Sequence, residues 1–283
     1  MCSLSDRACP VVNQTLSGLA AKSEARWSEG AAVVSASVER RAALVTGASS
    51  GIGRAIAERL GADGWSVLGA DLTAATDLEH SVEVDLTTRE GNRQAVAAAV
   101  ERFGRLDGVV ANAGYQHVAP IADFPEDHWD RLVSLLLTSP FLLAKHAWHW
   151  LAQAPAGGRF LVIASAHALV ASPYKAAYVS AKHGVLGLVK TLALEGGEAG
   201  ISATALCPAY VRTPLVEKQI ADQARVHGIS EDKVLQEVIL APHALKRLLE
   251  PVEVAEAAAF LMGPHGQGFT GSAVPLDCGW TAR

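Results

Sequence analysis

The sequence is poor in cysteine. Only Cys2, Cys9, Cys207 and Cys278 occur in 283 residues, too few and too scattered for a disulfide scaffold and without the spacing of a metal-ligand set. A reducing cytoplasm is the expected compartment. Positive charge is also sparse. With 24 Lys and Arg against 29 Asp and Glu, the net charge is -5, and no basic stripe of the kind that grips nucleic acid or an anionic membrane is present. No uncharged apolar run is long enough to span a bilayer, and no basic start leads into an apolar signal core. Internal repeats are absent, and the one compositional bias is toward alanine. A small-molecule partner is expected, with neither nucleic acid nor membrane.

What remains is a chain that is 50% hydrophobic with 25 glycines, enough to bury one large α/β core. Residues 1–40 are rich in Ser and Ala with weak apolar periodicity and are expected to form a flexible extension. Asn13-Gln14-Thr15 within them matches a glycosylation acceptor, discounted because no secretory signal accompanies it. From Arg41 onward, short β-rich runs alternate with segments of helical period. The expected strands are Ala42 to Thr46, Ser66 to Asp71, Ser81 to Asp85, Gly108 to Ala111, Arg159 to Ala164, Ser202 to Leu206 and Ala273 to Asp277. Helices are expected to begin near Ile52, Thr88, Asp127, Pro173 and Pro251. Ser172 would cap the fourth, with Pro173 in its first position. This pattern predicts a single Rossmann-type, doubly wound α/β domain over 41–283, with a seven-stranded, mostly parallel sheet and helices on both faces. Residues 213–250 break the rhythm as two polar amphipathic helices, which suggests a lid at the carboxyl edge of the sheet.

Thr46-Gly47-Ala48-Ser49-Ser50-Gly51-Ile52-Gly53 joins the first strand to the first helix. Glycines here allow a tight turn and a close approach to a pyrophosphate, which the helix N-terminus would also attract. Asp71 ends the next strand, where a carboxylate can accept hydrogen bonds from adenosine ribose hydroxyls and repel a 2′-phosphate. No Arg or Lys just before Gly51 or just after Asp71 reverses that preference, so NAD is the expected cofactor. Asp85, followed by Leu86, ends the third strand and could reach the adenine amino group.

Tyr178 and Lys182 lie four apart on one helical face. A nearby ammonium and a cationic nicotinamide are expected to lower the phenol from its usual value of about 10, making Tyr178 a proton acceptor during hydride transfer. Ser165, at a strand end, would position the substrate oxygen. Lys175 offers an ammonium nearby for a carboxylate. His146 and His149 lack a third ligand, and no catalytic metal is expected.

These motifs, with Asn112-Ala113-Gly114 and Tyr178-Val179-Ser180-Ala181-Lys182, resemble the short-chain dehydrogenases/reductases over Arg41 to Arg283. Gly114-Tyr115-Gln116-His117, Ala164-Ser165-Ala166-His167, Lys175, Pro214 to Ile220 and Gly279 to Arg283 narrow the resemblance to the bacterial D-3-hydroxybutyrate dehydrogenase branch. The resemblance implies that Asn112 to Gly114 steady the sheet beside the cofactor and that Val211 and Thr213, after Pro208, contact the nicotinamide carboxamide. It further implies that Lys182 holds the nicotinamide ribose and that Gln116, His167, Lys175 and Gln219 hold a substrate carboxylate. The expected activity is NAD-dependent interconversion of D-3-hydroxybutyrate and acetoacetate.

Two positions depart from the pattern. Leu136 stands where the family has an Asn that holds a water in a proton relay, and Tyr210 stands where related hydroxybutyrate enzymes have a Trp. Another hydroxy acid, a polyol or a ketone is the alternative substrate, and an NAD-binding scaffold without turnover is the alternative class. The resemblance implies a homotetramer, built across the long helix of Tyr178 and the Gly279-Trp280 region.

Overall fold

The computed structural model describes residues 40–282. All but the last residue of the expected extension, with Asn13-Gln14-Thr15, lie outside the described residues. Seven strands alternate with helices: β1 (Ala42–Thr46), α1 (Gly51–Ala62), β2 (Ser66–Asp71), β3 (Ser81–Glu83), α2 (Arg89–Phe103), β4 (Gly108–Ala111), α3 (Glu126–Val133), α4 (Ser139–Ala152), β5 (Arg159–Ile163), α5 (Ala176–Gly196), β6 (Ser202–Pro208), α6 (Pro214–His227), α7 (Glu231–Val234), α8 (Pro251–Met262) and β7 (Ala273–Leu276). They form one sheet in the order β3-β2-β1-β4-β5-β6-β7, and every pairing is parallel. The expected "mostly parallel" sheet is therefore wholly parallel.

Both faces of the sheet are covered, which is why its strands are continuous apolar runs rather than alternating ones. Side chains of one strand point alternately to opposite faces. Leu44, Val109, Phe160 and Val162 meet α2, α4 and α5 through Val96, Leu143, Leu151 and Val185. Ala43, Val45, Val110, Leu161 and Ile163 meet α1 and α8 through Ile56, Leu60, Val254 and Met262. Each fully buried Leu or Ile contributes about 1.5–3 kcal/mol, so these two layers hold the sheet that aims the site.

Chain order reverses between β1 and β4. Loops leaving those strands diverge at their carboxyl ends and open the crevice where open α/β sheets bind ligands. Residues 213–250 sit at this edge and carry a small core of their own, in which Val216 and Ile220 of α6 pack with Val234, Ile239, Leu240 and Leu248.

Two local features differ from the sequence expectation. The fourth long helix starts at Ala176, not at Pro173, because Tyr174 takes a left-handed φ of 66° that interrupts the helix path. That conformation costs roughly 1–2 kcal/mol for a side chain other than Gly, and the Ala119 N–H anchors the turn by donating to the Tyr174 carbonyl at 3.0 Å. The second is where the helix expected from near Asp127 runs: it is broken into α3 and α4 by a π-helical turn over Ser134–Thr138. Leu136, which stands where the family has its Asn, lies at the centre of this turn.

Candidate active site

The phosphate-binding turn is built by contacts that glycine alone permits. Gly47 and Gly51 have φ of 67° and 55°. A Cβ on Gly47 would lie 2.8 Å from the Ala113 Cα, and one on Gly53 would run into the Gly47 carbonyl. Thr46 and Asn112 lock the ends of β1 and β4 together: the Asn112 N–H donates to Thr46 Oγ1 at 2.9 Å, and Asn112 Nδ2 donates to the Thr46 carbonyl at 2.9 Å. Thr46 Oγ1 also accepts from the Ala113 N–H at 3.1 Å. Thr46 and Gly53 are therefore braces behind the turn, while Gly47, Ser49, Gly51 and Ile52 line the cavity in front of it.

That cavity, of about 480 Å³, runs from Asp71, Asp85 and Leu86 past Asn112, Ala113 and Gly114 to Tyr178, Lys182 and Thr213. Its shape and glycine cradle suit a dinucleotide. Asp71 Oδ2 accepts from Ser49 at both the backbone N–H, 3.0 Å, and Oγ, 2.6 Å, and Oδ1 accepts from the Leu72 N–H at 2.7 Å. The carboxylate thus also fastens the turn after β1. Asp85 lies two residues beyond the end of β3 and accepts from Thr87 N–H and Oγ1 at 2.9 and 2.7 Å. Those hydrogen bonds hold its carboxyl below the usual range. Pro208 ends β6 away from this cavity. Val211 forms part of a second, smaller chamber, and Thr213 borders both.

The smaller chamber, about 110 Å³, is walled by Ser165, Tyr178, Gln116, His167, Lys175, Tyr210, Gln219, Trp280 and Leu215. Every predicted catalytic and carboxylate-binding side chain except Lys182 faces it. Lys182 stands behind Tyr178, its Nζ 5.6 Å from the ring centre, and donates to the Ile163 carbonyl at 2.7 Å. Burial lowers this ammonium to about 8. Burial also raises the Tyr178 phenol, opposed in part by the nearby Ser165 hydroxyl. The expected lowering of the phenol calls on the nicotinamide cation as well as on Lys182, whereas burial alone acts in the opposite direction.

Lys175, 4% exposed, donates to Tyr210 Oη at 2.8 Å, and burial lowers it to about 8. Gln116 Oε1 is buried with no hydrogen-bond partner, an amide awaiting a polar ligand. His167 is held by two serines. Its Nδ1 lies 3.4 Å from Ser165 Oγ and its Nε2 lies 2.9 Å from Ser172 Oγ, and burial brings the imidazole down to about 3, so it is neutral.

Three contributors escape sequence reasoning. Trp280, expected near a subunit contact, is buried within its own chain, stacked on Tyr210 at 5.6 Å and edge-on to His167 at 4.9 Å. Leu215 borders the cofactor cavity, the chamber and a larger vestibule of about 1050 Å³ beyond Lys175. His128 of α3 borders the cofactor cavity and the vestibule, stacked on His117 at 4.0 Å. His128 lies in no motif, while Leu215 and Trp280 fall within the Pro214 to Ile220 and Gly279 to Arg283 runs, which give them no site role. Among the described residues, no group of three or more His, Cys, Asp or Glu side chains is arranged to hold a metal, and no helix is long and apolar enough to cross a membrane.

A parallel doubly wound sheet, a glycine cradle at its switch point and a Ser, Tyr and Lys converging beside it define an oxidoreductase, and the chain belongs to the short-chain dehydrogenase/reductase family. Residues 47–281 match the family described as enoyl-(acyl carrier protein) reductase. Among curated relatives, the D-beta-hydroxybutyrate dehydrogenase of Rhizobium meliloti is 41% identical over 86% of this chain and 99% of its own. The enzyme of that name from Cupriavidus necator is 36% identical over 86% of this chain and 98% of its own. Among solved structures, the ligand-free aldohexose dehydrogenase of Thermoplasma acidophilum superposes with a TM-score of 0.80 at 28% identity, covering 87% of this chain and 95% of that one. Levodione reductase does so at 0.78 and 30%, over 86% and 98%.

Proposed function

We propose that this protein oxidises D-3-hydroxybutyrate to acetoacetate with NAD, reversibly. The observation that carries the reading is the 110 Å³ chamber, with hydroxyls of Ser165 and Tyr178 in its wall together with the Lys175 ammonium and the Gln116 and Gln219 amides. A small hydroxy acid has one end for each set. NAD, when bound, supplies the hydride acceptor. Ser165 orients the substrate oxygen, Tyr178 takes its proton, and Lys182 holds the nicotinamide ribose. Asp71 favours NAD by repelling a 2′-phosphate.

Tyr210 in place of the Trp of related enzymes, and the vestibule beyond it, support a second reading in which the substrate is a bulkier hydroxy acid. The scarcity of cysteine supports a cytoplasmic setting. A homotetramer is part of the proposal, on family resemblance. Rates of NADH or NADPH formation with the D and L forms of 3-hydroxybutyrate and a panel of larger hydroxy acids, each with NAD and NADP, test these points. D-selective turnover with NAD is expected; preference for a larger acid selects the second reading, and turnover with NADP alone overturns the cofactor assignment.

A further inference from the structure

The chamber meets the cofactor cavity on one side and the vestibule on another. Ile52, Tyr178 and Thr213 border both the chamber and the cofactor cavity, whereas Gln116, Lys175, Tyr210, Gln219 and Trp280 border both the chamber and the vestibule. The hydroxyl that exchanges the proton therefore stands toward the cofactor, and the ammonium and amides assigned to the carboxyl group stand toward the vestibule. Ser165, His167, Ala209, Val211 and Val216 belong to the chamber alone. Behind them the wall is solid, since Val211 and Val216 are buried in the hydrophobic cores of the sheet face and the lid. The vestibule is the roomy side, about 1050 Å³ against about 110 Å³ for the chamber. Val118, Pro120, Leu215, Val238 and Pro242 give it apolar walls, the lining of a ligand pocket rather than of a water channel.

We propose that the vestibule receives a substituent on the carboxyl carbon, so that the enzyme also oxidises 3-hydroxyacyl groups joined through an ester or amide bond to an apolar tail. The inference rests on the reading that Ser165 and Tyr178 hold the carbinol while Lys175, Gln116 and Gln219 hold the carboxyl group. With that orientation, the atoms beyond the carboxyl carbon leave the chamber past Lys175, the direction in which space is open. Growth at the opposite, methyl end runs into the wall that belongs to the chamber alone. A neutral carbonyl oxygen accepts from the Lys175 ammonium as a carboxylate oxygen does, and that ammonium already has Tyr210 Oη as a partner at 2.8 Å. The reaction is unchanged by the tail: the hydrogen on C3 leaves as hydride to NAD, the hydroxyl proton passes to Tyr178, and the ester or amide bond stays intact. Each tail methylene that leaves water for the vestibule should raise kcat/KM roughly three- to fourfold.

The test compares kcat/KM, from initial rates of NADH formation at pH 7, for two substrate series. One series carries D-3-hydroxybutyrate as its methyl, ethyl and butyl esters and the matching N-alkyl amides. The other lengthens the free acid at its methyl end, to D-3-hydroxypentanoate and D-3-hydroxyhexanoate. From methyl to butyl, kcat/KM should rise about tenfold or more in the ester or the amide series, and it should fall as the free acid is lengthened. Ala171→Phe places a ring in the vestibule from an exposed position that borders neither the chamber nor the cofactor cavity. It should lower kcat/KM for the butyl compounds about tenfold and leave D-3-hydroxybutyrate within about twofold. A flat or falling trend in both the ester and the amide series, or butyl compounds unaffected by Ala171→Phe, overturns the proposal. A lengthened free acid that outruns them all does the same. Turnover of the free acid with no ester or amide oxidised defeats this inference alone, whereas turnover of the esters or amides without the free acid defeats the free-acid reading alone.

Discussion

Replacing Lys175 with Met should weaken substrate binding and stabilise the fold at neutral pH. The ammonium is 4% exposed, and its hydrogen bond to Tyr210 Oη at 2.8 Å does not compensate for lost solvent. Burial takes it from an ordinary 10.5 to about 8, a cost on the order of 3 kcal/mol to the folded state at pH 7. Met fills similar space without the charge. Losing the hydrogen bond to Tyr210 returns about 1–2 kcal/mol of that, leaving a net gain on the order of 1–2 kcal/mol. The sign with pH follows from the lowered value. Between pH 8 and 10.5 the unfolded chain binds the extra proton, so wild-type stability rises with pH across this window, and the advantage of Lys175→Met must shrink there. Lys182 has a similar value but is common to both proteins and cancels in the difference. In the chamber, a substrate carboxylate left without its buried cation loses about 3–5 kcal/mol, a rise in KM of roughly two to four orders of magnitude. Wild-type kcat/KM should fall above about pH 8 as Lys175 loses its proton. Urea unfolding at pH 7 and pH 10, at matched protein concentration, and initial rates of NADH formation measure both effects. A KM within threefold of wild type, or a Lys175→Met protein less stable by the same amount at both pH values, would refute the reasoning.

Tyr178→Phe should lower kcat by about 10²- to 10⁴-fold while NAD affinity, measured by calorimetry, stays within a few-fold. Asp71→Asn keeps an acceptor for Ser49 but removes the charge, so the preference for NAD over NADP in kcat/KM should fall at least tenfold; an unchanged ratio would show that another group excludes the 2′-phosphate. Gly53→Ala places a methyl group against the Gly47 carbonyl and the Asn112 amide, and thermal melting should show a marked loss of stability together with loss of NAD binding. A variant that melts and binds NAD as wild type does would remove Gly53 from its bracing role.

The cofactor half is legible in the sequence because its chemistry lies in consecutive residues. A turn that needs Gly47, Gly51 and Gly53 follows an apolar strand directly, and Asp71 ends the next one. Tyr178 and Lys182 are legible because helical spacing alone puts them side by side. The start of α5 is not, since Ser172-Pro173 is a sound helix opening by local rules and only the tertiary anchor from Ala119 to the left-handed Tyr174 moves the first turn to Ala176. Nor is the stack of Trp280 on Tyr210, which joins positions 70 residues apart through the ends of β6 and β7. The effect of burial on Tyr178 is likewise invisible to spacing, which records a neighbouring ammonium but not the solvent it displaces.

Leu215, in the first turn of α6, touches the cofactor cavity, the chamber and the vestibule at once. A partition shared by three rooms cannot be shifted for one occupant alone. Any movement of this turn would alter the walls around all three at once, so the two ligand sites share one adjustable boundary.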